Sequence, residues 1–216
     1  MKFFPQGIHS RFLLLLFIAT VSVAILWVTV FVAAYPCGNL TYCESLPPRS
    51  TTLTDRQGAE LSFKAFSNSS FGYLTEPVRW QPSGVYEGRY QEIIVPKGFV
   101  TSLASVPAIF WAIYPPSDLG PYLQMARAAV IHDYLYWTQT RPRAVADEIL
   151  KIQMTEIGLS SFNVQRIYWG VRLFKEKAWK ENKIRREAGE KRLLVKPPAA
   201  ETDWIEWRKH KEVFAD

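Results

Sequence analysis

One stretch constrains this chain more than any other: Met125 to Trp137, MARAAVIHDYLYW. Read as a helix it is apolar on nearly every side, which places it at the centre of a fold. Yet His132 and Asp133 stand in the middle of that run. An unpaired buried charge costs several kcal/mol, so the fold must supply partners for both groups or use both. His132 and Tyr136 are i and i+4 and share a face. Asp133 is rotated from His132 by about 100°, because a turn holds about 3.6 residues. The two neighbours therefore look in different directions. One can meet an adjoining helix while the other meets a cleft or a metal. The plain alternative is a structural pair satisfied by backbone or by arginine.

The chain has 216 residues and a formal net charge of +6. That length suits one domain with accessories. Of the three histidines, His9 and His210 lie in polar flanks, so only His132 sits where a packed site can form. Two cysteines, Cys37 and Cys43, cannot build a four-cysteine zinc site.

Residues 1–11 are a short basic start with Lys2 and Arg11. No charge occurs from Phe12 to Tyr35. These residues span about 36 Å as a helix, enough for a hydrocarbon core of about 30 Å. A cleaved signal has a shorter apolar core of about 7–15 residues, so a retained transmembrane signal anchor over 12–35 is favoured. Cleavage near Ala33-Ala34 is the alternative. Positive residues precede the run, and the next is Arg49. The expected topology is single-pass in an inner membrane, with the N-terminus cytoplasmic and the C-terminal domain outside, in the periplasm. Cys37 and Cys43 fit an oxidising compartment.

Residues 36–52 are rich in Pro, Ser and Thr and read as a linker. The globular domain is expected over 53–180, with a charged helical tail over 181–216. Its first part carries strand signals: Glu60–Phe66 alternates polar and apolar, Tyr73-Leu74 and Val78–Trp80 follow, and Arg89–Pro96 ends in a turn at Lys97-Gly98. Gly98 allows a tight turn or a close backbone approach. Thr101, Ser102 and Ser105 precede Pro107, which can open a helix. Their hydroxyls would cap that helix or hold an anion.

After Trp137 the sequence Thr138–Pro142 breaks the helix. A second helix is predicted from about Arg143 to Ile157, with Gly158 as its stop. So short a connection makes the two antiparallel neighbours, and Asp147 then approaches the His132–Tyr136 face. Stabilisation of the helix N-terminus is the other role open to Asp147. A third helix is predicted over 161–174, with Ile167, Val171 and Phe174 on one face. Lys175–Arg192 continues it with eight basic and four acidic residues, a solvated helix that could touch anionic lipid headgroups. Trp204 and Trp207 would dock on the domain or a membrane interface. The expected fold is α+β: an N-terminal transmembrane helix, a small antiparallel sheet, a helical hairpin and a C-terminal helix. The expected partner is the lipid bilayer. Nucleic acid is not expected for an exported domain, and protein partners are left open.

Val95-Pro96-Lys97-Gly98-Phe99-Val100-Thr101-Ser102-Leu103-Ala104-Ser105-Val106-Pro107, then His132-Asp133-Tyr134-Leu135-Tyr136, then Ala146-Asp147 resemble an uncharacterised family of tailed phages and prophages. It is domain-of-unknown-function family 1353, and the resemblance covers about residues 68–175, opening near Phe71-Gly72-Tyr73-Leu74. The family usually has Asp where this chain has Ser102. It brings no established activity with it.

His132-Asp133-x-x-Tyr136 is also similar, over a shorter span, to the helix motif of secreted phospholipase A2. That likeness implies a hydrolase in which His132 is the general base and Asp133 binds calcium or another divalent metal. Tyr136 and Asp147 would orient the imidazole. Such chemistry needs a neutral His held in one tautomer and an electrophile on the ester carbonyl. The cysteine staples and glycine-rich calcium loop of that enzyme are missing. Two functions are therefore expected in competition. One is a membrane-anchored, His-based hydrolase of lipid or other envelope esters. The other is a non-catalytic envelope protein for superinfection exclusion or lysis support.

Overall fold

The computed structural model describes residues 50–54, 60–67, 69–102, 119–199 and 201–215. The segment 12–35 read as a membrane anchor lies outside them, as does Ser105. Among the described residues no helix is long and apolar enough to cross a membrane.

The fold is α+β. Six short strands come first: β1 (Ser50–Thr54), β2 (Glu60–Ala65), β3 (Phe71–Leu74), β4 (Val78–Trp80), β5 (Ile93–Val95) and β6 (Val100–Ser102). Helices α1 (Leu119–Thr138), α2 (Arg143–Glu156), α3 (Ser161–Phe174), α4 (Glu176–Glu187) and the short α5 (Trp204–Trp207) follow. Strands β1-β2-β3-β6 make one antiparallel sheet, and β4 pairs with β5 in a separate antiparallel ribbon.

β1 begins at Ser50, inside the stretch read as linker. Its run of Ser and Thr hides the β-branched residues that pair with β2. β6 was not foreseen either. It is three residues long with two of them polar, and it is placed by register: Tyr73 opposite Val100, Gly72 opposite Thr101, Phe71 opposite Ser102. Gly72 is needed there, since a Cβ would come within 2.1 Å of the Phe63 ring and 2.6 Å of the Lys64 carbonyl.

Helix α1 is the axis of the core. Met125, Ala126, Ala128, Val130, Ile131, Leu135, Tyr136 and Trp137 are all buried. It packs on α2 and α4 and touches strands of both sheets. Pro121 falls in its first turn, where the missing N–H costs nothing. It ends at Thr138, and Gln139 turns the chain with φ 52°. Arg186 of α4 closes that end, donating from Nη1 to the carbonyls of Trp137 at 2.9 Å and Thr138. A cation over the last carbonyls also suits the helix dipole.

Helix α2 starts after Pro142 and stops at Gly158, whose φ is +84°. The Leu159 N–H returns to the Met154 carbonyl at 3.1 Å, the closing bond of a left-handed helix stop. In α3, Val164, Ile167 and Val171 form the buried face. Phe174 does not join them. It is 79% exposed, because the helix ends there and the chain turns into α4.

The end of the chain departs most from the sequence reading. Among the described residues from 181 on, α-helix runs only to Glu187 and over the short α5, with a single 3-10 turn at Lys211–Val213. Gly189, at φ +85°, redirects the backbone. It then runs back across the sheet: Phe99 bridges Leu193, Leu194 bridges Phe214, and Ser67 bridges Asp203. Leu194, Trp204, Val213 and Phe214 close a second apolar cluster over Phe66, Tyr73 and Val100. Trp204 thus docks on the domain itself. Gly98 is where the returning strand passes closest. Its φ is +84°, and a Cβ would sit 2.0 Å from the Leu194 carbonyl oxygen.

Candidate functional site

The α1–α2 hairpin brings the imidazole and the acid together. His132 Nε2 lies 3.0 Å from Asp147 Oδ1, and the Tyr136 hydroxyl donates to the same oxygen at 2.7 Å. The other oxygen, Oδ2, accepts from Arg172 Nη1 at 2.9 Å and faces Arg143 Nη1 at 3.6 Å. The Asp147 side chain is completely buried. Burial alone would push its carboxyl up. The hydrogen bonds from His132 and Tyr136, the charge interaction with His132 and the Arg172 bond outweigh burial and hold it below the usual range. Burial first, then the Asp147 bond and charge, push the Tyr136 phenol well up, so Tyr136 stays a donor.

An ionised carboxylate only accepts, so Nε2 of His132 carries the proton. That fixes the tautomer and leaves Nδ1 as the basic nitrogen. No described residue bonds it. The ring leans on Tyr136, centroids 4.2 Å apart, and Tyr136 meets Trp179 edge-on at 5.0 Å. Asn182 of α4 donates to the Tyr136 carbonyl at 3.3 Å.

His132, Asp133 and Tyr136 line a pocket of about 200 Å³. Its apolar wall includes Phe71, Leu150 and Val171, and Lys175, Glu181, Arg185 and Arg192 add charge. His132 is 13% exposed, so the ring is reachable while its partner is not.

Asp133 also lines that pocket, but its carboxylate is engaged from β6. Thr101 of β6 donates to its Oδ2 at 2.6 Å. Thr101 and Ser102 are both buried and neither lines the pocket. Thr101 therefore spends its hydroxyl on α1 rather than on an anion. Among the described residues the donors around Asp133 are fewer than a calcium site takes. Calcium asks for six to eight oxygens, largely carboxylate and carbonyl. Among the described residues no group of three or more His, Cys, Asp or Glu could hold a metal ion.

Residues 80–171 match the model of a family described as protein of unknown function, DUF1353. This stretch belongs to that family. No curated protein and no solved structure matches the chain. The DUF1353 stretch runs from the end of β4 into α3 and contains His132, Asp133, Tyr136, Arg143 and Asp147. It leaves out Phe71–Leu74 and stops one residue short of Arg172. The pocket residues Lys175, Asn182, Arg185 and Arg192 also lie beyond it.

Sequence reasoning missed both arginines on Asp147. Arg143 was within reach, since it precedes Asp147 by one helical turn. Arg172 needed the α2–α3 packing. The pocket cations were hidden by the reading of their segment as a solvated tail.

Proposed function

We propose that the chain is a membrane-anchored hydrolase of phage or prophage type, in which His132 is the general base acting on lipid or other envelope esters. One observation carries this reading. The imidazole is held through Nε2 by a buried, charge-neutralised acid, and Nδ1 is left without a partner at a pocket. The step it supports is direct. Nδ1 takes a proton from water as the water oxygen bonds to the ester carbonyl carbon. The tetrahedral intermediate then expels the alkoxide, which takes the proton back from Nδ1. Asp147 and Tyr136 act as positioning residues, and no step is routed through a metal. The uncharged run at 12–35 supports the anchor, with the domain on the outer face of an inner membrane.

The test uses the full chain in a neutral detergent, with acyl esters and glycerophospholipid as substrates. Loss of a general base costs about 10²–10⁴-fold. His132→Asn is expected to lose at least a hundredfold in kcat/KM with little change in Tm. A variant that keeps the wild-type rate defeats the proposal.

A second reading has its own support. Arg172 and Arg143 already meet the charge of Asp147, as a structural staple requires, and Ser102 stands where the resemblance implies that the family usually has Asp. In that reading the protein is a non-catalytic envelope component for superinfection exclusion or lysis support. Absence of hydrolysis in the wild-type chain favours it.

A further inference from the structure

The pocket beside His132 holds a buried cation that the hydrolase reading does not use. Arg192 is 5% exposed. Its position is fixed by its own backbone, because the Arg192 carbonyl accepts from the Val100 N–H at 2.7 Å. That bond ties the returning chain to β6. The guanidinium lies 4.3 Å from the Trp137 ring centroid and 5.6 Å from that of Phe71. These faces hold a cation but accept none of its hydrogen bonds.

A guanidinium has five N–H donors and cannot shed its charge. Arg192 commits one: Nε donates to Glu190 Oε1, at a long 3.4 Å. Neither Nη group bonds to any described residue, and neither is sealed from open space. Arg192 is one of the residues that line the pocket. Two parallel N–H groups in one plane match the two oxygens of a phosphate or carboxylate edge. Lys175 and Arg185 stand at the same pocket, against Asp133 and Glu181. Asp133 already accepts from Thr101, and Glu181 lies 3.8 Å from Lys177. Three cations, Lys175, Arg185 and Arg192, thus meet two carboxylates at the pocket.

We propose that this pocket binds a phosphate-bearing ligand, with the Nη groups of Arg192 gripping the phosphate oxygens and the apolar wall beside His132 taking the rest of the molecule. This names the ligand class for the pocket on which the hydrolase reading also rests, but it needs no turnover. A chain that binds phosphate and hydrolyses nothing keeps this inference and loses that reading. One that hydrolyses a neutral ester without binding phosphate does the reverse.

The experiment titrates inorganic phosphate into the full chain in a neutral detergent, against sodium chloride at matched ionic strength. Calorimetry and melting curves are the readouts. Saturable binding is expected, with Tm rising by about 2–4 °C at high occupancy. Arg192→Met should weaken the affinity at least tenfold. Arg192→Lys, which keeps the charge and loses the fork, should also weaken it. Arg208→Gln, an exposed arginine outside the pocket, should bind as wild type. Phosphate that acts no differently from chloride overturns the proposal, and so does an Arg192→Lys variant of wild-type affinity. The lysine variant carries the test if the methionine variant does not fold. A second arm uses short-chain phosphatidylglycerol below its micelle concentration. Tighter binding than inorganic phosphate assigns the site to a lipid headgroup, and weaker binding to a free phosphate ester. Both require Arg192.

Discussion

Replacing Asp147 with Asn tests the centre of the fold and of the site at once. The side chain keeps its volume and loses its charge. In the wild type one carboxylate, fully buried, accepts from His132, Tyr136 and Arg172, and Arg143 stands at 3.6 Å. Hydrogen bonds to a charged group contribute about 1.5–3 kcal/mol each. Three of them would give about 4.5–9 kcal/mol, but the cost of burying the carboxylate opposes that sum. Asn also turns an NH₂ toward one set of donors, either His132 with Tyr136 or the two arginines. Breaking a buried pair by neutralising one member costs about 3–5 kcal/mol. The same loss is expected for Asp147→Asn, read as a shifted urea midpoint at unchanged slope. In melting temperature it corresponds to roughly 6–20 °C, at about 2–4 °C per kcal/mol. Arg172→Met should cost less, since Arg172 is 27% exposed and Arg143 remains. The double variant should fall short of the sum by at least about 1 kcal/mol, because one interaction is lost twice. A cost for Asp147→Asn below about 1 kcal/mol, or strict additivity with Arg172→Met, would refute the argument that this carboxylate holds three helices together.

Three further outcomes follow from the same contacts. The Asp147 carboxyl lies below its ordinary value of 3.8 in the folded protein. Its contribution is therefore fully present above about pH 4 and is lost as pH falls through the folded value. The stability gap between wild type and Asp147→Asn should be flat above that pH and close below it. Gly98→Ala adds left-handed strain and a clash with the Leu194 carbonyl, and should cost more than about 2 kcal/mol, with faster hydrogen exchange at Val100 and Leu194. Glu156 accepts from Trp80 Nε1 at 2.8 Å, the Ser83 N–H at 2.7 Å and the Ser83 hydroxyl at 3.1 Å, so Glu156→Ala should cost about 1–3 kcal/mol and shift Trp80 emission to the red.

What the sequence made legible was local. An apolar run with two polar residues implied a central helix and buried partners. The i,i+4 spacing put His132 and Tyr136 on one face, and the short Thr138–Pro142 break folded α2 back until Asp147 met them. These inferences use periodicity and chain connectivity, which a sequence carries directly. The contacts it hid are those between distant segments. β6 is too short and too polar to show alternation, and its place depends on Phe71–Tyr73 lying beside it. Arg172 reaches Asp147 only because α3 packs on α2. Residues 190–215 look like a solvated tail because charged residues are as many as apolar ones and interrupt them throughout. Four of the latter, Leu194, Trp204, Val213 and Phe214, are enough to bind the segment to the sheet and bring Arg192 to the pocket.

The two oxygens of Asp147 divide the labour, and this makes stability and catalysis separable. Oδ2 faces the arginines and balances charge, while Oδ1 faces His132 and Tyr136 and sets the ring. Removing the imidazole leaves the Oδ2 contacts and the Tyr136 bond in place. His132→Asn should then cost little in stability, of the order of one hydrogen bond, about 0.5–1.5 kcal/mol. Asp147→Asn removes the charge that both sides share, so it should damage both stability and rate. Tyr136→Phe should fall between the two: the ring stack on Trp179 persists, but one donor to Oδ1 is gone. A base held in place by this network predicts rate losses ordered His132→Asn, then Asp147→Asn, then Tyr136→Phe, while stability losses begin with Asp147→Asn. A network that only staples the helices predicts no rate series at all, and its stability losses follow buried hydrogen bonds alone.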